Sequence, residues 1–262
     1  MRDQFLQGIP LDRLRTGLEE ILAVAAPEQA LPKLAAYVDM LHRSSRTYGL
    51  ISVEDAADPL TLVVRHVLES VAGIGVIAES LRAQALRNAD MPMICDLGSG
   101  AGLPGVPLAV VLESLPDVPA PSVYLVERRE KRVRFLTSIP EQLELSRLHV
   151  LFTDAERPSR EALALFRSSP PPLVVFRAYQ QMTTVMLRRL VKVFPRGTSV
   201  VAWKGRRDQV LRDIEAIEAT PGLLFRDLLD LQVPFLERQR TLLRFEVAGP
   251  IGRAPEEINR GG

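Results

Sequence analysis

Hydrophobic positions follow two regimes along the chain. From Leu11 to about Asn88, apolar residues such as Leu34, Val38 and Leu41 recur every three to four positions, the period of helices that bury one face. Pro27, Pro32 and Pro59 mark helix starts or boundaries there, and Pro59 to Val71 reads as a helix carrying Arg65 and His66. Asn88 to Pro92 reads as a linker. Beyond it, short β-rich runs (Met93 to Leu97, Val123 to Glu127, His149 to Phe152, Leu173 to Phe176, Ser199 to Trp203) alternate with helical ones (Val106 to Leu115, Arg129 to Ile139, Thr183 to Val193, Asp208 to Ala219). Such alternation predicts a mostly parallel, doubly wound α/β sheet. Leu223 to Val233 and Arg240 to Val247 read as closing strands. The predicted organisation is a helical N-terminal cap over 1–88, an α/β domain over 89–247 and a mobile polar tail over 248–262.

In a doubly wound sheet, ligands bind beyond the carboxyl ends of the strands where strand order reverses, so the residues after each predicted strand are the candidates. The first strand runs into Asp96-Leu97-Gly98-Ser99-Gly100-Ala101-Gly102-Leu103-Pro104-Gly105. Glycines at 98, 100 and 102 permit positive φ and close backbone approach to a ligand, and Pro107 suits a first helical turn, where no donor is needed. A pyrophosphate favours bare N–H groups at a helix N-terminus without a neighbouring anion. Asp96 therefore tilts the turn toward a ligand with a cationic part, such as S-adenosylmethionine. Gly100, Gly102 and Gly105 also satisfy the dinucleotide spacing, so the glycines alone leave both cofactors open.

Composition narrows the partners only slightly. With 262 residues, 47% apolar content and 33 basic against 32 acidic residues (net +1), a sizeable core is expected, and any nucleic-acid surface must be a local patch. The single cysteine, Cys95, excludes an internal disulfide and a cysteine-rich zinc site, and its apolar flanks point to a core position. His42, His66 and His149 form no pair at metal-ligand spacing, so no metal is expected. No apolar run approaches a membrane span of roughly 20 residues, and Met1 to Gln7 lacks a signal-like apolar stretch. A cytoplasmic protein without a membrane partner is the expectation, with a monomer as the working assumption.

The later strand ends add candidate chemistry. Glu127 ends the second strand, where a carboxylate can accept from both ribose hydroxyls, a device shared with dinucleotide enzymes. Asp154, Ala155 and Glu156 follow the third strand; Asp154 is either an acceptor for an adenine amino group or an N-cap for the next helix. Arg177 follows the fourth strand and Lys204 the fifth, beside Trp203, which either stacks on a base or packs in the core. Arg128, Arg129, Lys131, Arg132 and Arg134 place five cations and one acid within seven residues, either a solvated helix face or a phosphate-binding patch.

Taken together, Asp96 to Leu108, Lys131-Arg-Val-Arg-Phe-Leu136, Arg177-Ala178, Lys204-Gly205 and Leu231-Gln-Val-Pro234 closely resemble the bacterial 16S ribosomal RNA guanine-N7 methyltransferases, also called glucose-inhibited division protein B. Val64 to Ser70 is similar to the family's Arg-His-x-x-Asp/Glu-Ser helix, so the resemblance spans about residues 35 to 247. It implies a Rossmann-like class I methyltransferase that uses S-adenosylmethionine on a guanine N7 near the decoding region of the small ribosomal subunit. Carried over by motif, Gly98, Leu103, Ala155, Glu156 and Arg177 would contact the cofactor, joined by Asp96, Gly100, Glu127 and Asp154 from the strand-end argument. The basic helix, Arg65, His66 and Lys204 would face RNA. Tyr48 to Ser52 and Phe176 to Tyr179 depart from the family's usual residues, and a proline-rich insert occupies Ser168 to Pro172.

Guanine N7 carries an in-plane lone pair and no proton, so no general base is expected. Arg177 and Lys204 are then positioning groups. Two rival readings remain at this point: a dinucleotide-dependent oxidoreductase, and a catalytically silent RNA-binding factor of ribosome assembly.

Overall fold

The computed structural model describes residues 8–23, 28–87, 91–167, 169–177 and 182–249. Seven strands join into one sheet in the order β3-β2-β1-β4-β5-β7-β6. They are β1 (Met93–Leu97), β2 (Ser122–Glu127), β3 (Leu148–Phe152), β4 (Leu173–Arg177), β5 (Ser199–Lys204), β6 (Leu223–Leu231) and β7 (Arg240–Val247). The first five are mutually parallel, whereas β7 runs antiparallel to both β5 and β6. Strand order reverses between β1 and β4, which leaves a crevice at their carboxyl ends.

Burial on both faces explains why β1, β4 and β5 read as continuous apolar runs. Every residue of β1 is buried, with Ile94 in one core and Met93, Cys95 and Leu97 in the other. The first core is covered by α1 (Leu11–Leu22), α2 (Ala30–Tyr48), α6 (Ile74–Arg87), α7 (Gly105–Leu112) and α8 (Glu130–Gln142). The second is covered by α9 (Arg160–Phe166), α10 (Thr184–Val193) and α11 (Arg207–Glu218). The N-terminal helices thus share one continuous core with a face of the sheet.

A short α3 (Val53–Ala57) leads to Asp58, whose carboxylate accepts from the amides of Leu60 and Thr61 and starts a helix at Pro59. Proline needs no donor at that position. This helix is α-helical over α4 (Pro59–Thr61), π-helical over Leu62–Leu68 and α-helical again over α5 (Glu69–Val71). Pro32 lies in the first turn of α2. Pro27, the 88–90 part of the expected linker, Ser168, Ala178, Tyr179 and the tail from 250 onward lie outside the described residues.

Two expectations change. The helix that follows β3 is α9, started not at Asp154 but at Ser159, which accepts from the Ala162 amide. The helical run Pro59–Leu86 is also long and apolar enough to cross a membrane, with a mean hydropathy of 1.6 over 18 residues. Yet 67% of that window is buried inside the protein. Its interrupting polar residues, His66 and Glu69, find partners there.

Packing between this helix and β5 is tight at one point. A Cβ on Gly73 would lie 2.5 Å from Cζ2 of buried Trp203, whose indole N–H donates to the Glu69 carbonyl at 2.9 Å. The ring cannot withdraw without breaking that bond. Gly73→Ala is expected to cost about 1–3 kcal/mol, read as a lower midpoint of urea unfolding; an unchanged midpoint would refute this packing.

Candidate active site

The chain leaves β1 through a turn held from below and from both sides. Gly98 and Ser99 donate to the Val126 carbonyl at 2.8 and 3.1 Å, and the Ser99 hydroxyl donates to the Asp96 carbonyl at 2.8 Å. From α2, the buried Tyr37 hydroxyl donates to the Ala101 carbonyl at 2.8 Å. Gly98 and Gly100 adopt φ of 68° and 60°, in the left-handed region that side chains resist. Gly105 serves a different need: an added Cβ would stand 2.7 Å from the Asp96 carboxylate.

Asp96 is fully buried, and its Oδ2 accepts from the Gly105 amide at 3.1 Å, at the first turn of α7. Its Oδ1 has no hydrogen-bond partner among the described residues. Burial, with the nearby Glu127 charge adding to it, pushes this carboxyl up to about 7 despite the Gly105 hydrogen bond. A buried acceptor held half-ionised at neutral pH, next to exposed Gly98, suits a ligand that brings positive charge or a donor.

Glu127 is likewise buried, but its oxygens are engaged. Oε1 accepts from the amides of Arg128 and Arg129 at 2.8 Å each, and Oε2 from the Gly100 amide at 3.0 Å. It therefore shapes the glycine turn as well as standing where a ribose is expected. Arg132, expected at an RNA surface, turns inward: it lies 3.7 Å from Glu127 Oε2 and donates to the Gly49 carbonyl from Nε and Nη2 at 3.2 and 3.1 Å. The unusual Tyr48 to Ser52 loop is thereby fastened to α8.

Past β3, Asp154 folds its own turn. Oδ1 accepts from the Glu156 amide at 2.9 Å, and Arg128 pairs with Oδ2 at 3.3 Å. It caps no helix, because the chain bends for several residues before Ser159 starts α9. Ala155 is buried beside it, and Glu156 pairs with Arg189. Leu103 lines the inner side of the glycine turn.

Three sequence expectations are corrected here, and the alternatives left open for Trp203 are decided. Arg177 does not extend toward a ligand: Nε faces Glu69 at 3.4 Å, Nη1 donates to the His66 carbonyl and Ser70 hydroxyl at 3.0 and 3.2 Å, and Nη2 donates to the Arg65 carbonyl at 2.6 Å. A buried guanidinium must satisfy its donors locally, and the π-helical segment offers the carbonyls. His66 is not at an RNA surface but sits buried between Arg177 and Asp55, and burial with the Arg177 charge lowers it to about 4, so it is neutral. Lys204 is nearly buried, 2.9 Å from Asp213, whose Oδ1 also accepts from the Met182 amide. Trp203 is a core residue. Arg65 stays partly exposed while pairing with Asp55 at 2.6 Å.

Sequence reasoning missed Tyr37, Asp55, Arg240 and Asp213. Arg240 pairs with Glu69 at 2.9 Å, so one carboxylate faces guanidinium groups from both β4 and β7. None of the four lies at a strand's carboxyl end or in a spaced motif, so nothing local marked them. Exposed cations remain at Arg128, Arg129, Lys131 and Arg134, the last paired with Glu130.

The raised Asp96 carboxyl has a stability consequence. The unfolded chain ionises near its ordinary value of 3.8 while the folded protein holds the proton to about 7, so wild-type stability falls as pH rises across that window. Asp96→Asn is expected to lack this fall, its stability rising relative to wild type from about pH 4 to pH 7 in ligand-free urea titrations; parallel pH profiles would refute the assignment.

Comparison with known proteins agrees with this architecture. The family model described as rRNA small subunit methyltransferase G matches residues 30–243. Ribosomal RNA small subunit methyltransferase G of Cupriavidus pinatubonensis is 30% identical over 235 residues, covering 88% of this chain and 91% of that protein. The protein of the same name from an Enterobacter species is 29% identical over 89% of this chain and 96% of its own length. An O-methyltransferase from Bacillus cereus, solved in complex with SAH, shares the fold with a TM-score of 0.52 at 13% identity, over 94% of this chain and all (100%) of that one. The Rossmann-like methyltransferase fold stands, and the dinucleotide oxidoreductase reading falls away. The chain belongs to the GidB family of S-adenosylmethionine-dependent methyltransferases.

Proposed function

We propose that this protein methylates N7 of a guanine in the 16S ribosomal RNA of the small subunit. The observation that carries the reading is the turn after β1, where a buried, half-satisfied carboxylate stands beside two glycines in left-handed conformations. Those residues fit S-adenosylmethionine. Asp96 Oδ1 is an acceptor without a partner among the described residues, and exposed Gly98 presents left-handed backbone two residues further on. Asp96, Gly98, Gly100 and Leu103 would hold the methionine side, Glu127 the ribose, and Asp154, Ala155 and Glu156 the adenine. Bound there, the cofactor supplies an electrophilic methyl group on a sulfonium.

The chain's own contribution is alignment. Guanine N7 attacks through a lone pair with no proton to remove, and the described residues at the crevice need supply no general base. Holding two reactants in line can be worth roughly 7 to 11 kcal/mol in well-oriented systems. Rigidity at the crevice then matters more than acid–base chemistry. Tyr37, Arg132 and the Arg177 network supply it by tying the helices to the strand ends. Arg177 and Lys204 act on the substrate only through the segments they fix. The exposed cations Arg128, Arg129, Lys131 and Arg134 offer charge to RNA phosphates.

Small subunits from a strain lacking the gene, incubated with the protein and labelled S-adenosylmethionine, should yield N7-methylguanosine. Binding of subunits without transfer would instead support a silent assembly factor. The double substitution Arg129→Glu with Lys131→Glu should weaken RNA binding and lower its salt slope by about one for each phosphate no longer neutralised; an unchanged slope would reduce this face to solvated charge.

A further inference from the structure

Phe152 closes the edge strand β3 with 61% of its surface exposed, a large apolar side chain left open to solvent. Strand parity sets its direction. Leu148 and Val150 pack in the first core and Leu151 in the second, so Phe152 belongs on the face of α8. It is the register partner of Glu127, which places it next to Arg128, and the following turn holds Asp154 in an ion pair with Arg128. β3 is also the outermost strand on this side of the sheet, so nothing lies beyond it in the sheet. The result is one exposed aromatic ring at the carboxyl edge of the sheet, in register with the strand end that Arg128 and Arg129 follow.

Aromatic rings flanked by cations are how proteins hold unpaired bases: the ring stacks on a base while the cations track the phosphates. We propose that Phe152 is a stacking platform for an unpaired base of the RNA substrate, with Arg128 and Arg129 on the adjoining phosphates. The proposal rests on the RNA reading above. It assigns to the RNA a residue that neither motif nor strand-end spacing marked. The other aromatic partner nearby would be the cofactor's adenine. The turn expected to hold adenine, however, packs Ala155 into the second core, whereas Phe152 belongs to the α8 face.

The test compares wild type, Phe152→Ala and Phe152→Trp for binding to a fluorescein-labelled transcript of the small-subunit ribosomal RNA, by anisotropy, and to S-adenosylhomocysteine, by calorimetry. Phe152→Ala is expected to lose roughly 5- to 100-fold in RNA affinity while its S-adenosylhomocysteine affinity is retained, and Phe152→Trp is expected to bind RNA at least as well as wild type. RNA affinity equal to wild type in Phe152→Ala overturns the platform and leaves the RNA reading standing. A loss confined to S-adenosylhomocysteine assigns the ring to the cofactor and also overturns it. A wild type that binds neither the transcript nor intact small subunits overturns the RNA reading and the platform together.

Discussion

A buried arginine at the end of β4 organises much of this molecule. Arg177 stands where strand order reverses, and its guanidinium cannot be left unpaired away from water. The solution recruits a helix from the other end of the chain: two carbonyls of the π-helical segment and the Ser70 hydroxyl accept its protons, and Glu69 supplies the counter-charge. Glu69 also faces Arg240 on β7, while its carbonyl accepts from Trp203 on β5. One turn of helix is therefore linked to three neighbouring strands. Such a constellation adds little net stability over an apolar core, but losing one member strands the others, so it specifies how the helix sits on the sheet.

That docking bears directly on the crevice. The same N-terminal helices bring Tyr37 against the glycine turn and the Gly49 carbonyl against Arg132. The turn after β1 is consequently gripped by β2 through Val126 and Glu127 and by α2 through Tyr37. Polar atoms satisfied by fixed neighbours leave few ways for the loop to move. The exception is the Asp96 oxygen, which has no partner among the described residues, and in the proposed methyl transfer a rigid frame of this kind is what would hold the two reactants in line.

Much of the fold was legible in local pattern. Parallel strands covered on both faces must be short and apolar, and a helix needs a stripe every three to four residues, so β1, β4 and β5 and the helix starting at Pro59 stood out with boundaries close to those observed. Pro59 announced the start of that helix, and the structure adds Asp58 as its cap. The glycine turn, Glu127 and the basic run were legible for the same reason: their chemistry depends on residues adjacent in sequence. The start of short α9 was not legible because seven residues carry too little period to mark it.

The sequence by itself determined the alternating α/β plan, the glycine turn at Asp96 to Gly105 and the family to which its motifs point. Tertiary structure alone decided which charged residues face a ligand and which face one another. Arg177, His66 and Lys204 each looked like a strand-end or surface group, yet each is consumed by a partner between 9 and 112 positions away in the chain. The physical reason is that a charge is committed by whatever lies within a few ångströms once the chain has folded. That neighbourhood is set by how the helices cross the sheet, and no spacing along the chain encodes it.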